Sequence, residues 1–158
     1  MLTEPVILHC IGGFVLCYFY GLARSTDDID YWAAIPPNLN LIEAAGEGSP
    51  LAKKHKVRLH HVAVNTMPED YDMRLTEMAA GQFKHLKLFV PDAYDCILSK
   101  LERNQSKDRD DSDYLFRSNG LNGQELRARY EKALRPYLAN ESRHDTTLNL
   151  WIDIFESK

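Results

Sequence analysis

A glycine pair, an apolar stretch and an acidic cluster follow one another near the start of the chain, and this order most constrains its fold. Gly12 and Gly13 end an apolar run rich in branched residues, and the acidic cluster occupies residues 27–30. The pattern predicts a buried strand, a glycine turn, a helix over 14–22 and a second strand over 27–35. If the two strands lie side by side, the glycine turn and the acidic cluster come close together.

The residue types in this stretch indicate an anion and a hard cation as ligands. Asp28 and Asp30 are two residues apart on the predicted strand, so both carboxylates extend from one face. Carboxylates together with substrate phosphates are typical ligands of Mg²⁺. A phosphate can approach the backbone of Gly12 and Gly13, which have no side chains, and Arg24 offers a guanidinium to it. A tight turn and a solvated carboxylate pair are the purely structural alternatives.

The order Gly-Gly, helix, Arg24-Ser-Thr-Asp-Asp-Ile-Asp30 resembles the signature of the DNA polymerase β-like nucleotidyltransferase superfamily. More narrowly, it is similar to the bacterial branch that contains the AbiEii-type abortive-infection toxins and small relatives. A second stretch resembles the same family, and it contains Lys100-Leu-Glu-Arg103 followed by Lys107-Asp108. The glycine pair at the right distance before Asp-x-Asp makes the resemblance more specific than Asp-x-Asp alone.

The resemblance implies an enzyme that uses Mg²⁺ to move a nucleoside monophosphate from an NTP to an acceptor hydroxyl of tRNA or a protein. It also implies a toxin with a cognate antitoxin as its partner. The residues that it assigns to the site are the metal ligands Asp28 and Asp30, the catalytic Lys100, and the phosphate- and nucleotide-contacting Gly12, Gly13, Arg24, Thr26, Lys107 and Asp108.

One expected residue of the family pattern is missing. The family has a third carboxylate on the strand that we predict at 57–64, where it holds the catalytic ion of a two-metal site. This strand has no acid and carries His60 and His61 instead. A neutral histidine could act as base or ligand, although Mg²⁺ prefers oxygen, and half-exposed histidines at a sheet edge are an equal alternative. An inactive nucleotidyltransferase-fold protein that binds nucleotide, RNA or a protein partner is therefore the alternative function.

Three basic residues in the second half could form one functional surface. Lys100, Arg103 and Lys107 are spaced so that one face of a helix would carry all three, provided that the helix continues through them. Such a row could hold a triphosphate or a polynucleotide backbone. A solvated basic stripe is the structural alternative.

The distribution of elements predicts an α/β fold of the α+β type. We expect a small mixed sheet with flanking helices over 1–90, followed by a helical region over 91–158 that packs on this core. The spacing of apolar residues predicts helices over 39–45, 93–103, 108–117, 124–138 and 146–155.

Charge and cysteine content restrict the class of protein further. A net charge of −4 argues against a passive nucleic-acid-coating protein, which would be basic. The three cysteines form no close pair motif, which favours free thiols in a reducing cytoplasm. The apolar run over 6–23 is long enough to cross a membrane, but Gly12-Gly13 interrupts it and no basic segment precedes it. We therefore expect a buried strand and helix there, and neither a membrane contact nor a signal peptide.

Overall fold

The structure, a computed structural model, describes residues 2–38 and 40–157 of the chain. Residues 1, 39 and 158 lie outside the described residues. Residue 1 begins the predicted region 1–90, residue 158 ends the predicted region 91–158, and residue 39 begins a predicted helix. The chain forms two compact units. The first combines Met1–Val64 with Leu75–Pro91, and the second combines Asn65–Arg74 with Asp92–Lys158.

A five-stranded mixed sheet forms the centre of the first unit. Its strands are β1 (Val6–Cys10), β2 (Asp28–Ile35), β3 (Arg58–His61), β4 (Thr76–Met78) and β5 (Leu86–Val90). The spatial order is β3-β2-β1-β5-β4, and β1 pairs antiparallel with β2 and parallel with β5. The pairing of β2 with β3 is parallel and that of β4 with β5 antiparallel. The predicted mixed sheet, with β1 and β2 side by side, is thus confirmed.

Three short helices complete the first unit: α1 (Gly12–Tyr18), α2 (Asn40–Ala45) and α3 (Pro50–His55). Helix α1 begins and ends earlier than the predicted 14–22. It begins earlier because the glycine pair itself forms the first turn. It ends earlier because the chain leaves the helix after Phe19 and passes through Gly21 at φ +75°. Val15 and Leu16 of α1 are fully buried, as are Val6 and Leu8 of β1, so the first apolar stretch supplies the core.

Over its described residues, the second unit contains four α-helices: α4 (Ala93–Leu98), α5 (Ser106–Ser118), α6 (Gly123–Ala133) and α7 (Glu141–Glu156). Their apolar sides enclose a core that includes Trp151 and Tyr130. Helix α7 begins before the predicted residue 146 because the side chain of Asn140 accepts a hydrogen bond from Arg143 N at 3.1 Å and caps it. The predicted helical C-terminal region is confirmed.

The long apolar run near the start of the chain is divided between two elements. Strand β1 takes its first part and helix α1 its second, with the glycines at the junction. Among residues 2–38 and 40–157, no helix has the length and apolar character needed to cross a membrane.

Candidate functional site

The glycine pair and the acidic strand meet where β1 ends. Ile11 N donates a hydrogen bond to Asp30 O at 3.0 Å, which joins the end of β1 to β2. A Cβ added to Gly12 would lie 2.6 Å from Asp30 Oδ2, closer than such contacts allow. Gly12 also has φ +72°, a conformation that L residues rarely adopt. A carboxylate oxygen therefore lies directly against bare backbone at this corner of the sheet.

Arg24 and Thr26 lie at the same corner, beside the second glycine. A Cβ added to Gly13 would lie 3.2 Å from Arg24 Nη2 and 3.7 Å from Thr26 Oγ1. Thr26 Oγ1 donates to Asp28 O at 3.3 Å and accepts from Asp28 N at 3.4 Å, so this turn leads directly into β2. The four predicted phosphate-contacting residues of the first unit are thus brought together beside the two aspartates.

Strand β3 places a charged or polar partner beside each aspartate. The parallel register sets Arg58 opposite Asp28 and His60 opposite Asp30. Arg58 Nε donates to Asp28 Oδ1 at 2.5 Å, and His60 Nδ1 lies 2.8 Å from Asp30 Oδ1. Because residues paired in register extend to the same side, these four side chains share one face of the sheet.

The two carboxylates on this face contribute to raised pKa values of two neighbouring groups, Arg58 and Cys10. The hydrogen bond from Arg58 to Asp28, with the charges of Asp28 and Glu47, raises the pKa of the guanidinium above its ordinary value. Burial raises the pKa of the nearby Cys10 thiol to about 12, and the charge of Asp30 adds to the effect. Cys10 therefore stays protonated at neutral pH and is not a nucleophile.

Both carboxylates are accessible, and space for a ligand remains beside Asp28. The side chains of Asp28 and Asp30 are 37% and 23% exposed, so water reaches both carboxylates. A cavity of about 420 Å³ opens next to Asp28. Its lining residues are Asp28, Ile42, Glu47, Arg58, Leu59, His60 and His61.

The donor set fits one hard cation better than two. Two carboxylates on one face can hold Mg²⁺ when substrate phosphates and water complete its shell. Among the described residues, no group of three or more His, Cys, Asp or Glu side chains could hold a metal ion. Asp70 and Asp72, which follow the predicted third strand, belong to the second unit.

Lys100 and Asp108 lie in a buried ionic cluster of the second unit. Lys100 Nζ donates to Asp111 Oδ2 at 3.0 Å and lies 3.6 Å from Asp108 Oδ1, and all three residues are buried. Arg103 donates to both oxygens of Asp108. The cluster joins the segment after α4 to the face of α5 that packs inward.

The predicted basic stripe does not form, because its helix does not continue. Helix α4 ends at Leu98 and α5 begins at Ser106, so Lys100 and Arg103 lie in the connection between them. Lys100 turns inward to its carboxylate partners, whereas Lys107 is exposed in the first turn of α5. The expectation of one helical face with three cations is therefore wrong.

A mixed sheet that brings a glycine turn against a carboxylate of the neighbouring strand is nucleotidyltransferase-like. Residues 3–158 match the family model described as "Nucleotidyltransferase of unknown function (DUF6036)", and the chain belongs to this family. Comparison with curated proteins and with solved structures found no match. The nucleotidyltransferase resemblance is confirmed at the level of the family, and the AbiEii-type branch stays a hypothesis.

Arg58 and Glu47 were not among the predicted site residues. Arg58 Nη1 donates to Glu47 Oε1 at 3.0 Å, so this guanidinium bridges two carboxylates. Strand alternation put Arg58 on the same side as His60, which was the available signal. That Arg58 lies beside Asp28 depends on the register between β2 and β3, which local sequence does not reveal.

Proposed function

We propose that this protein is a Mg²⁺-dependent nucleotidyltransferase that moves a nucleoside monophosphate from an NTP to an acceptor hydroxyl. The position of Asp30 Oδ2 against Gly12 supports this proposal, because it brings a carboxylate oxygen and an open backbone to one point. A phosphate chain lying over Gly12 and Gly13 would share an ion with Asp28 and Asp30. Arg24 at the same corner would compensate the phosphate charge.

The reaction requires few protein groups other than those that bind the NTP and compensate its charge. The acceptor oxygen attacks the α-phosphorus and forms a new P–O bond, while the bond between the α-phosphorus and the bridging oxygen breaks. Pyrophosphate leaves with that electron pair, and the hydroxyl proton passes to water. Mg²⁺ bound by Asp28 and Asp30 would stabilise the negative charge on the phosphates. The chain's own residues position the NTP, which is the usual protein contribution to phosphoryl transfer.

Lys100, Lys107 and Asp108 stay predicted site residues on the strength of the resemblance. Within the second unit, Lys100 is already paired with two carboxylates, which supports a structural part for it. The exposed Lys107 is the better candidate for a substrate contact. Separate Lys100→Met and Lys107→Met variants test these two assignments by comparing folding stability with the KM for NTP.

Label transfer tests the reaction itself. The protein is incubated with Mg²⁺, each α-labelled NTP, and either bulk tRNA or a protein mixture as acceptor. We expect transfer by the wild type and by Asp110→Asn, an exposed carboxylate on α5, and at least about 100-fold less transfer by Asp30→Asn. Equal transfer by Asp30→Asn and the wild type would refute the assignment of this site.

The second candidate function is a nucleotide-binding protein without transferase activity, which also could bind RNA or a protein partner. It is favoured by the ion pair between Arg58 and Asp28 and by the lack of a carboxylate on β3. This candidate predicts that NTP with Mg²⁺ raises the melting temperature while no label is transferred from any NTP. A plain interaction domain would show neither a rise in melting temperature nor label transfer.

The toxin role is the most specific part of the proposal and rests on the resemblance to AbiEii-type proteins. It assigns tRNA or a protein as acceptor and a cognate antitoxin as partner. Induced expression should arrest bacterial growth, and Asp30→Asn should abolish the arrest at equal protein level. Arrest by both proteins would separate toxicity from nucleotidyl transfer.

A further inference from the structure

Arg58 lies on β3, the strand next to the two aspartates, and β3 carries no acid. We propose that Arg58 replaces the second cation of a two-metal site, so that this site holds one divalent ion and the guanidinium supplies the other positive charge. This role rests on the proposed function, because it concerns the same bound NTP. It assigns to Arg58 a contact with the phosphates of the transferred nucleotide.

The register of β2 and β3 provides the first support. Arg58 is paired with Asp28, and its Nε lies 2.5 Å from Asp28 Oδ1. A second divalent ion needs additional carboxylate oxygens, and β3 offers Arg58 and His60 there instead. The residues present therefore do not fit a second ion.

The contact of the guanidinium with Glu47 provides the second support. Arg58 Nη1 donates to Glu47 Oε1 at 3.0 Å while Nε stays on Asp28. These two bonds use two of the five N–H donors of an arginine. The described contacts therefore leave donors for a phosphate oxygen.

The chemistry of arginine suits this task. Its guanidinium keeps its charge at any physiological pH and matches the geometry of phosphate oxygens. Arginine clamps stabilise the charge that develops on a transferring phosphoryl group. As the acceptor oxygen bonds to the α-phosphorus and pyrophosphate leaves, Arg58 would donate hydrogen bonds to the phosphate oxygens, and the acceptor proton would pass to water.

Counting bound ions tests the proposal without relying on activity. Full-length protein with a saturating non-hydrolysable NTP is titrated with Mn²⁺, and free Mn²⁺ is measured by electron paramagnetic resonance. We expect one protein-dependent Mn²⁺ per chain for the wild type and for Arg58→Lys. Arg58→Asp, which puts an acid on β3, should bind a second Mn²⁺. Two ions on the wild type would overturn the proposal, and no ion with no NTP binding would instead refute the proposed function.

A second measurement remains valid if Arg58→Asp fails to fold. Arg58→Gln removes the charge without adding an acid, and Arg117→Gln removes an exposed arginine of the second unit as a matched control. We expect Arg58→Gln to retain one Mn²⁺ and to lose transfer by about 100-fold, with partial recovery in Arg58→Lys. Arg117→Gln should behave as wild type. Wild-type transfer by Arg58→Gln would overturn the role of Arg58.

Discussion

At Gly12, the backbone conformation and the site geometry require glycine for two different reasons. Its φ of +72° alone disfavours any L side chain, and the carboxylate of Asp30 occupies the space that a Cβ would need. Gly81 has a similar φ of +76°, but no heavy atom of a described residue other than its chain neighbours lies within 4 Å of its added Cβ. A comparison of the two glycines therefore separates the cost of the backbone conformation, which both share, from the effect of the contact with Asp30, which only Gly12 has.

Alanine at these two positions should give different losses. Both Gly12→Ala and Gly81→Ala should lower the free energy of unfolding by about 1–2 kcal/mol, the cost of the left-handed conformation. Only Gly12→Ala should also displace Asp30 and weaken Mg²⁺-dependent NTP binding by at least about tenfold. Urea unfolding and calorimetric titration measure the two effects. Equal NTP affinity in both variants would contradict the contact between Asp30 and Gly12.

At the scale of elements, the buried cluster at the start of α5 makes stability depend on pH. Burial raises the pKa of the Asp108 carboxyl, but hydrogen bonds from Arg103 and Gln105 N and the charge of Lys100 outweigh it. The pKa is therefore held below the ordinary 3.8. Since the ionised form is favoured in the folded state, this stabilisation is complete above pH 3.8 and is lost as pH falls through the lowered pKa.

Asp108→Asn should remove this contribution. We expect a loss of about 2 kcal/mol at neutral pH, because Arg103 and Lys100 lose a charged hydrogen-bond partner. Below pH 3.8 the variant should lose stability less steeply than the wild type as pH falls. Urea unfolding across this range measures both effects, with Asp110→Asn as the control on the same helix. Parallel pH profiles for wild type and Asp108→Asn would count against a lowered pKa.

The local sequence pattern was sufficient to predict the helices and strands of the first stretch, but not the side-chain contacts between distant strands. The glycines and the apolar stretch predicted β1, α1 and β2, because each signal lies within a few neighbouring residues. His60 and Asp30 are 30 residues apart, so their contact depends on a register that is set by long-range pairing. For the same reason, the sequence did not predict that Arg58 contacts both Asp28 and Glu47.

The prediction of a basic helical face with Lys100, Arg103 and Lys107 was wrong because the helix ends at Leu98. Residues 93–103 contain no glycine or proline that would have indicated this end.

At the scale of the whole molecule, the two units are interleaved along the chain. Asn65–Arg74 belongs to the second unit, although the sequence around it belongs to the first. Arg74 attaches this segment, because its Nε and Nη2 donate to the fully buried Asp95 at 2.7 and 3.2 Å. Burial raises the pKa of Asp95, while Arg74 and Arg129 act in the opposite direction. Composition does not reveal such an attachment, so the predicted regions 1–90 and 91–158 did not separate this segment.

Removing Arg74 should release this segment first. We expect Arg74→Gln to destabilise the second unit by about 2–3 kcal/mol, because Asp95 stays buried and loses one cation. Amide hydrogens of Asn65–Arg74 should exchange faster than in the wild type. Arg117→Gln, which removes a surface ion pair with Asp113, should change stability by under about 1 kcal/mol. Unchanged exchange in Asn65–Arg74 would show that Arg74 does not hold the segment.

Anomalous diffraction from a crystal soaked with Mn²⁺ and a non-hydrolysable NTP tests the central claim most directly. We expect one Mn²⁺ at about 2.1–2.2 Å from carboxylate oxygens of Asp28 and Asp30, with phosphates over Gly12 and Gly13. Mn²⁺ and nucleotide bound elsewhere, with Asp28 and Asp30 contacting only Arg58 and His60, would contradict it.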